Sequence, residues 1–272
     1  MMLDDATQSC AYLYDGTPEG LLCAVFETYV RHEIPDDIAT PHTFQPRLDQ
    51  FIHTVETNLA HAERVRRGII KKAGYDTFLH ILRVSLSDDP AAPLAVCKFI
   101  RHTMHNESST YHAINDLMHP DVAELFRIHR LVMNERHHYL EFLRFEELEG
   151  SVWFAQCSPR AKIVPLVMDW FVERFNVQPF IIFDDIHHQA GIYDGEPSWR
   201  LVQSDTITIP DRTAQEEDMQ YAWKLFYDTL ANEARYNPEL RRQLLPQRFW
   251  NHMPEFTEHI PNKLRKSSSS SI

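Results

Sequence analysis

Residues 142–158 read FLRFEELEGSVWFAQCS, and residues 179–203 contain the runs PFIIFD, QAGIYD and SWRLVQ. Short runs rich in aromatic and β-branched residues, bounded by Gly, Asp or Pro, are typical of β-strands. The first stretch contains two such runs, which turn at Glu149-Gly150. Between the two stretches, residues 163–175 repeat apolar side chains at helical spacing. The middle of the chain is therefore predicted to form a β-β-α-β-β unit, extended by one further strand.

On the N-terminal side of this unit, the sequence predicts one strand followed by helices. AYLY (11–14) is a short strand, and Thr17 caps the next helix with Pro18 at its first position. Residues 33–56 are irregular, with room for short extended pieces only. Apolar spacing then predicts four helices, at 58–72, 75–86 and 91–104 and from Pro120 onward.

On the C-terminal side, a capping box at Thr213 and Glu216 predicts the start of a helix. Asn237-Pro238 ends that helix and begins another. A stripe of apolar residues is expected to be buried along the first of them. The stripe consists of Met219, Trp223, Phe226, Tyr227 and Leu230.

These elements predict an α+β fold with an N-terminal strand and helical region, a central β-β-α-β-β sheet unit and C-terminal helices. We see no convincing interdomain linker. We therefore expect a flexible N-terminus over residues 1–10 and a single α+β domain over residues 11–256. The low-complexity, Ser-rich tail over residues 257–272 is expected to be disordered.

The composition excludes several classes of protein. The 272 residues carry a net charge of −12 and include only 7 glycines. Proteins that coat nucleic acid without sequence preference are usually basic, because phosphate contacts dominate their affinity. The charge therefore argues against a general DNA-coating protein, although it allows a local basic site. The scarcity of Gly and the absence of GxxxxGK[ST], GxGxxG and GxSxG motifs argue against the common nucleotide and hydrolase fingerprints.

The cysteines and the hydropathy pattern indicate a cytoplasmic protein. Cys10, Cys23, Cys97 and Cys157 are isolated from one another, which excludes zinc-finger and iron–sulfur spacing and is typical of reduced core thiols. The chain has no run of about 18 apolar residues that would span a membrane. Its acidic N-terminus does not resemble a signal peptide. We predict a cytoplasmic location, no membrane contact and no cofactor.

Four residues near the predicted sheet form a candidate catalytic set. Glu135 and His137 lie at the end of the long helix, Arg144 follows on the first strand, and Asp184 ends a strand of the same sheet. An acid, an imidazole and a guanidinium near one sheet edge can transfer protons or bind phosphate. The alternative is that Arg144 forms a structural ion pair with Glu135 or Asp184.

The 16 histidines also raise the question of a metal site. Two adjacent pairs, together with nearby carboxylates, form a conceivable ligand cluster. Its members are Glu135, His137, His138, Asp184, Asp185, His187 and His188. Neighbouring side chains on a helix point about 100° apart, so both rarely bind one ion. Neither HExxH nor HxE…PCxxC is present. We therefore interpret these residues as surface or interface polar groups and predict no metal.

The segment RYNPELRRQLLPQRFW (235–250) is the candidate nucleic-acid interface. Arginines beside aromatic side chains suit backbone contact combined with base stacking. The candidate contact residues are Arg235, Asn237, Arg248 and Trp250. The alternative is a basic helix face whose aromatic side chains anchor the core.

Several of these segments also resemble one bacterial family. They are YDGTPEGLLCAVFETY (14–29), AERVRRGIIKK (62–72), the stretch from Glu135 through the strands to FIIFD (180–184), QYAWKLFY (220–227) and RYNPELRRQLLPQRFW. The family is a domain of unknown function described as a DNA repair or DNA metabolism protein. Its members are encoded beside a DNA-repair-like radical SAM protein, and some are fused to a uracil-DNA glycosylase-like domain.

The resemblance implies a role in DNA repair or modification. It also implies a radical SAM partner on a separate chain, since this chain has no cluster ligands. DNA and a uracil-DNA glycosylase-like protein are the other partners it suggests. The chain departs from the family pattern toward less basic side chains, which weakens a phosphate site near the sheet. The departures are His138 and Glu141 after the long helix, and Asp185, His187 and His188 after Asp184. Three readings stay open: a DNA-metabolism accessory protein, a protein-binding scaffold without DNA contact, and an enzyme with a Glu/His/Arg/Asp pocket.

Overall fold

The computed structural model describes residues 9–105, 113–196, 198–205, 207–230 and 237–256. The mixture of helices and strands confirms the predicted α+β class. Contacts within the chain divide it into two compact units, Met1–Asn134 and Glu135–Ile272. The boundary falls inside a helix rather than in a linker, so the single domain over residues 11–256 stays a prediction. The predicted tail lies outside the described residues, as do residues 1–8 of the predicted flexible N-terminus.

The first unit contains a small parallel sheet. Its strands are β1 (Cys10–Leu13), β2 (Asp37–Ala39) and β3 (Phe51–Thr54), in the order β2-β1-β3. Both outer strands run parallel to β1, which lies in the middle and is almost wholly buried. The irregular stretch over residues 33–56 thus contains two strands, which are too short to show a period. Cys10, placed in the flexible N-terminus by the sequence, is the first residue of β1.

Within the described ranges, five helices form at the predicted positions. They are α1 (Pro18–Val30), α2 (Leu59–Ala73), α3 (Tyr75–Ser85), α4 (Ala92–His105) and α5 (Pro120–Phe142). Thr17 caps α1 as predicted, because its hydroxyl accepts a hydrogen bond from the Gly20 backbone N–H at 2.9 Å. The core of this unit combines β1 and these helices, and its largest buried side chains include Tyr12, Leu21, Ile81, Phe99 and Leu125.

The second unit contains the sheet that the sequence predicts. Its strands are β4 (Glu146–Leu148), β5 (Val152–Cys157), β6 (Phe180–Asp184), β7 (Gln189–Tyr193) and β8 (Arg200–Gln203), in sequential order. All neighbours are antiparallel except β5 and β6, which are parallel. Helix α6 (Val164–Arg174) makes the crossover between those two strands. The β-β-α-β-β unit and its extension are therefore confirmed.

Helix α6 packs against the sheet at a glycine. A Cβ atom at Gly191, on β7, would lie 2.4 Å from Sδ of Met168 and 2.8 Å from Cγ1 of Val164. Both neighbours belong to α6 and are completely buried. Real Cβ atoms do not approach other atoms this closely. Helix α6 can therefore pack this close to the sheet only because residue 191 has no side chain.

The C-terminal helices form where the sequence predicts them, but one of them is exposed. They are α7 (Ala214–Leu230), α8 (Pro238–Leu244) and a 3-10 helix (Gln247–His252). The expectation of a buried stripe along α7 is wrong: no residue of α7 is buried, and Met219 is 61% exposed. Helical periodicity records that one face is apolar, and it does not record whether anything covers that face.

Two further expectations can be compared with the described residues. All four cysteines are free and buried, as expected of core thiols. No helix in the described ranges is long and apolar enough to cross a membrane.

Candidate functional site

Glu135 is held in a buried ion pair. Its Oε1 atom accepts hydrogen bonds from the Arg248 guanidinium at 3.2 Å and from the backbone N–H of Arg160 at 3.0 Å. Burial raises the pKa of this carboxyl above its ordinary value, because removing a carboxylate from water disfavours its charged form. The Arg160 N–H and the Arg248 charge oppose this rise. Glu135 is therefore placed to form a structural ion pair rather than to act as an accessible acid.

His137 and Arg144 have other partners. His137 is exposed, and its Nε2 lies 3.1 Å from Oε1 of Glu141, one helical turn away. The Arg144 guanidinium donates to Oε1 of the buried Glu255 at 2.9 Å. A structural ion pair of Arg144 therefore exists, although its partner is neither of the two carboxylates that the sequence suggested.

Asp184 organises the turn that follows β6. Its Oδ1 atom accepts from the backbone N–H groups of Ile186 and His187 at 3.0 Å each. Its Oδ2 atom lies 2.6 Å from Nδ1 of His187 and accepts from Nε2 of Gln189 at 3.1 Å. The carboxylate is completely buried. The hydrogen bonds of the four candidate catalytic residues thus go to four separate sets of partners, and their role in catalysis stays a prediction.

The candidate nucleic-acid residues at the C-terminus are engaged within their own unit where they are described. Asn237 caps α8, since its side-chain oxygen accepts from the Leu240 N–H at 3.0 Å. Arg248 bonds Glu135, as above, and its guanidinium lies 4.7 Å from the Phe249 ring centroid. Arg235 lies outside the described residues.

Trp250 is likewise packed. Its indole N–H donates to the Leu245 carbonyl at 3.1 Å, and its ring stacks on Phe256 at 4.9 Å between centroids. The Arg241 guanidinium lies 4.8 Å from the centre of the same ring. An indole held in this way anchors the C-terminal segment. Nucleic-acid binding by this segment therefore stays a prediction.

His137 and His187 each contact one carboxylate, Glu141 and Asp184, but neither histidine pair belongs to a larger ligand cluster in the described part of the chain. Among the described residues, no group of three or more His, Cys, Asp or Glu side chains could hold a metal ion. His138 packs against Phe142 and Phe249, whereas its neighbour His137 points to solvent. The two imidazoles diverge, as expected for adjacent positions on a helix.

A different polar group lies at the end of the parallel strands of the second unit. Ser158 follows β5 and Asp185 follows β6, so both residues lie at the same edge of the sheet. The Ser158 hydroxyl is 2.9 Å from Oδ2 of Asp185 and 2.7 Å from Nε2 of His252, which the 3-10 helix supplies. Gln156 donates to the same Asp185 oxygen at 3.0 Å. We call Ser158, Asp185 and His252 the strand-end group.

The strand-end group places a hydroxyl between two proton acceptors. Burial lowers the pKa of His252, because the charged imidazolium loses solvation, while the Asp185 carboxylate opposes this shift. The lowered pKa favours the neutral ring. The side chains of His252 and Asp185 are partly exposed, so solvent reaches the group. The strand-end group was not predicted from the sequence, because Ser158 and His252 are 94 positions apart. The sequence showed only that a polar residue follows each of two predicted strands. It did not show that these strands pair in parallel.

The first unit carries a basic surface on α2. Ala62 and Ile69 are the buried residues of this helix. Arg64, Arg67 and Lys71 are exposed and, being three and four positions apart, lie on one side. We call these three residues the basic face of α2.

Two arginines of α2 share one carboxylate. The guanidinium groups of Arg66 and Arg67 donate to Glu63 at 2.6 and 2.7 Å. Hydrogen bonds from Arg66 and Arg67 lower the pKa of Glu63 to about 2. Glu63 is the only acidic residue of the helix, against five basic ones. The helix therefore keeps a net positive charge in a chain of net charge −12.

Comparison with known proteins places most of the chain in one family. The family model described as "Domain of unknown function (DUF4130)" matches residues 90–255, more than half of the sequence. The chain belongs to the DUF4130 family. This result confirms the domain of unknown function in the resemblance stated above. The association of that domain with DNA repair, a radical SAM protein and a uracil-DNA glycosylase stays a prediction.

The DUF4130 match contains one of the two surfaces described above. Ser158, Asp185 and His252 lie within it, as do Glu135 and Arg248. Helix α2 precedes residue 90 and lies outside it. The strand-end group is therefore built by the DUF4130 region, whereas the basic face of α2 belongs to the N-terminal part of the chain.

Other comparisons add little to the DUF4130 assignment. No curated protein matches the chain. One solved structure, the pGpG-specific phosphodiesterase PggH from Vibrio cholerae, is similar with 9% sequence identity and a TM-score of 0.31. The similarity covers 71% of this chain and 85% of that one. A TM-score this low supports no conclusion about fold or function.

Proposed function

We propose that this chain is a cytoplasmic accessory protein of DNA metabolism that contacts the DNA backbone through α2 and acts with a separate radical SAM protein. The observation that carries the DNA contact is the basic face of α2. Its three cationic side chains extend from one side of a helix whose opposite side is anchored in a core. Because the helix backbone is already ordered, these side chains can contact phosphates without the entropy cost of ordering a loop.

An acidic protein can bind DNA through such a face. At physiological salt, exposed charges separated by more than about 8 Å are largely screened from one another. The local positive charge of α2 therefore governs the approach of a phosphate more than the net charge of the whole chain does. The C-terminal arginines Arg241 and Arg248 are less suited to this task, because both are only partly exposed and Arg248 pairs with the buried Glu135.

The proposed DNA contact is tested by a binding titration with duplex and single-stranded DNA at two salt concentrations. The test variant replaces Arg64, Arg67 and Lys71 with Ala. If all three contact phosphates of a duplex, the slope of log K against log salt should fall in magnitude by about 2.7. The binding constant at low salt should fall with it, because fewer counterions are released.

The matched control removes the same charge outside both candidate DNA surfaces, by replacing the exposed Arg47, Arg130 and Arg174 with Ala. The control should bind DNA with the slope of the unmodified protein. Equal loss in both triple variants would show that net charge, rather than α2, governs binding. If the unmodified protein binds no DNA, with or without its partner, the proposed role is wrong.

The proposed partner is tested separately by co-purification with a radical SAM protein of the kind that the family resemblance implies. Co-purification without DNA binding would favour a second candidate function, that of a protein-binding scaffold. A specific observation favours this alternative: the apolar face of α7, which includes Met219, Trp223, Phe226 and Leu230, is exposed. Trp223→Glu with Phe226→Glu should then abolish co-purification and leave the unfolding transition unchanged. Retained co-purification in this variant would exclude α7 as the docking surface.

A further inference from the structure

We propose that Ser158 is a nucleophile toward uncharged acyl esters, with His252 as its general base and Asp185 as the stabilising carboxylate. This activity would be separate from the DNA contact of α2 and does not depend on it. The place of Ser158 and Asp185 in the sheet supports this assignment. In sheets with parallel strands, ligands bind beyond the carboxyl ends of those strands. Ser158 and Asp185 occupy those ends in the one parallel pair of the described five-stranded sheet.

The geometry of the group matches that of a nucleophile and its base. The distance of 2.7 Å between the Ser158 hydroxyl and Nε2 of His252 is within the range expected for proton transfer. This nitrogen can receive a proton when the ring is neutral and the other ring nitrogen carries the ring hydrogen. Asp185 Oδ2 lies 3.8 Å from Nε2, where it would stabilise the imidazolium once formed.

The arrangement differs from that of a serine hydrolase triad in one respect. In a triad, the carboxylate bonds the ring nitrogen that faces away from the serine. Here Asp185 lies on the side of Ser158, and its Oδ2 is 2.9 Å from the hydroxyl. The hydroxyl proton thus has two acceptors. Because Gln156 also bonds that oxygen, the carboxylate keeps its position while the proton moves.

The charges around the site favour an uncharged substrate. Cys157, the residue before Ser158, is buried, and its thiol pKa is raised by burial and by the carboxylates of Asp184, Asp185 and Glu135. The Asp185 carboxylate lies 2.9 Å from the Ser158 hydroxyl itself, where its negative charge would repel a phosphate. A neutral ester carries no such penalty.

The reaction proceeds in two steps. The Ser158 oxygen attacks the ester carbonyl carbon, the O–H bond breaks, and its proton passes to Nε2 of His252. As the carbon–oxygen bond to the leaving group breaks, the imidazolium returns that proton to the alkoxide, which leaves an acyl-serine. A water molecule then attacks the acyl carbon, His252 takes its proton, and the acid departs as the proton returns to Ser158.

The direct test uses a neutral alkyl fluorophosphonate, in which serine attack at phosphorus forms an O–P bond and expels fluoride. The unmodified full chain is treated with this probe, digested and mapped by mass spectrometry. The probe should modify Ser158 and leave the exposed Ser151 unmodified. An unmodified Ser158, or labelling of Ser151 at an equal rate, would show that the strand-end hydrogen bonds are only structural.

Variants separate the roles of the two partners. His252→Gln should slow labelling of Ser158 by about 100-fold or more, the usual contribution of a general base. Asp185→Asn should slow it less, since the hydroxyl keeps its base. The labelling rate of the unmodified protein should rise with pH through a midpoint below 6.5, as the imidazole becomes neutral. A rate that is unchanged in His252→Gln would overturn the assignment. Because the primary test needs no variant, a misfolded variant leaves the proposal testable.

Discussion

Two segments of this chain are basic and rich in arginine, yet the structure uses them differently. In α2, the Arg67 side chain is 76% exposed, and its partner Glu63 is also open to solvent. In the C-terminal segment, the Arg248 side chain is 29% exposed, and its partner Glu135 is only 6% exposed. Both arginines bond a glutamate. The comparison shows that the burial of the carboxylate matters. An arginine bonded to a buried carboxylate stabilises the fold, whereas an arginine bonded to an exposed carboxylate can still contact a partner molecule.

The largest effect should come from Arg248→Ala, and Arg67→Ala is its counterpart in α2. Arg248→Ala leaves Glu135 buried without its cation, and we expect the free energy of unfolding to fall by about 3 kcal/mol. Arg67→Ala removes an exposed pair and should change it by less than about 0.5 kcal/mol. Urea denaturation of the two variants measures both values. Equal losses in the free energy of unfolding would contradict this comparison, because they would show that the two ion pairs stabilise the fold equally.

A smaller effect is expected from two glycine substitutions. At Gly68, in α2, an added Cβ would meet only Met104 Cε, at an ordinary contact distance of 3.6 Å. Gly68→Ala should therefore raise the free energy of unfolding by about 1 kcal/mol, since Ala favours the helix. DNA binding should be unchanged.

Gly191→Ala is the counterpart in the second unit. It should lower the free energy of unfolding by about 1 to 3 kcal/mol, because α6 must move or Met168 must change rotamer. Thermal unfolding of both variants gives the signs directly. Destabilisation by Gly68→Ala would show that the space beside Gly68 does not accommodate a Cβ atom.

The smallest effect concerns the titration of the two glutamates. The pKa of Glu63 is lowered to about 2 by its arginines, whereas burial raises the pKa of Glu135. Carbon-13 NMR of the side-chain carboxyls should show Glu63 ionising below, and Glu135 above, the ordinary value of about 4.3. A Glu135 that ionises below that value would contradict its burial.

The raised pKa has a consequence for stability with a definite sign. Below the ordinary pKa, Glu135 is protonated in both the folded and the unfolded states. As the pH rises through the raised pKa, the folded state must ionise a buried group that the unfolded state has already ionised. The stability of the unmodified protein relative to Glu135→Gln should therefore fall over this window and stay constant above it. Chemical denaturation of both proteins between pH 4 and pH 8 measures it.

Most of the fold could be predicted from the sequence where its signals are local. Caps and prolines predicted the starts of α1 and α8, and apolar runs between turn residues predicted the five strands of the second unit. The strands β2 and β3 were not identified, because three or four residues show no period and their pairing with β1 is set by contacts distant in sequence. The stripe on α7 was predicted correctly as apolar and wrongly as buried.

The candidate site was harder to predict, for a physical reason. Residue types such as Glu135 and Arg248 suggest chemistry, but their burial and their partners depend on the folded chain. The sequence could not show that Arg248 bonds Glu135, 113 positions away, or that His252 meets Ser158. It did identify the basic run of α2, but only as part of the family resemblance.

The four buried thiols make this protein a favourable background for spectroscopic labels. Maleimide dyes react with thiolates, and burial raises the pKa of Cys10, Cys97 and Cys157, so the native cysteines should react slowly. A single new cysteine at the exposed Ala222 of α7 would then carry the only fast-reacting dye. Its emission would shift to shorter wavelength when a partner covers the helix. A dye on Ala60→Cys, at an exposed position one turn before Arg64 on α2, would report DNA in the same way and leave the basic face intact.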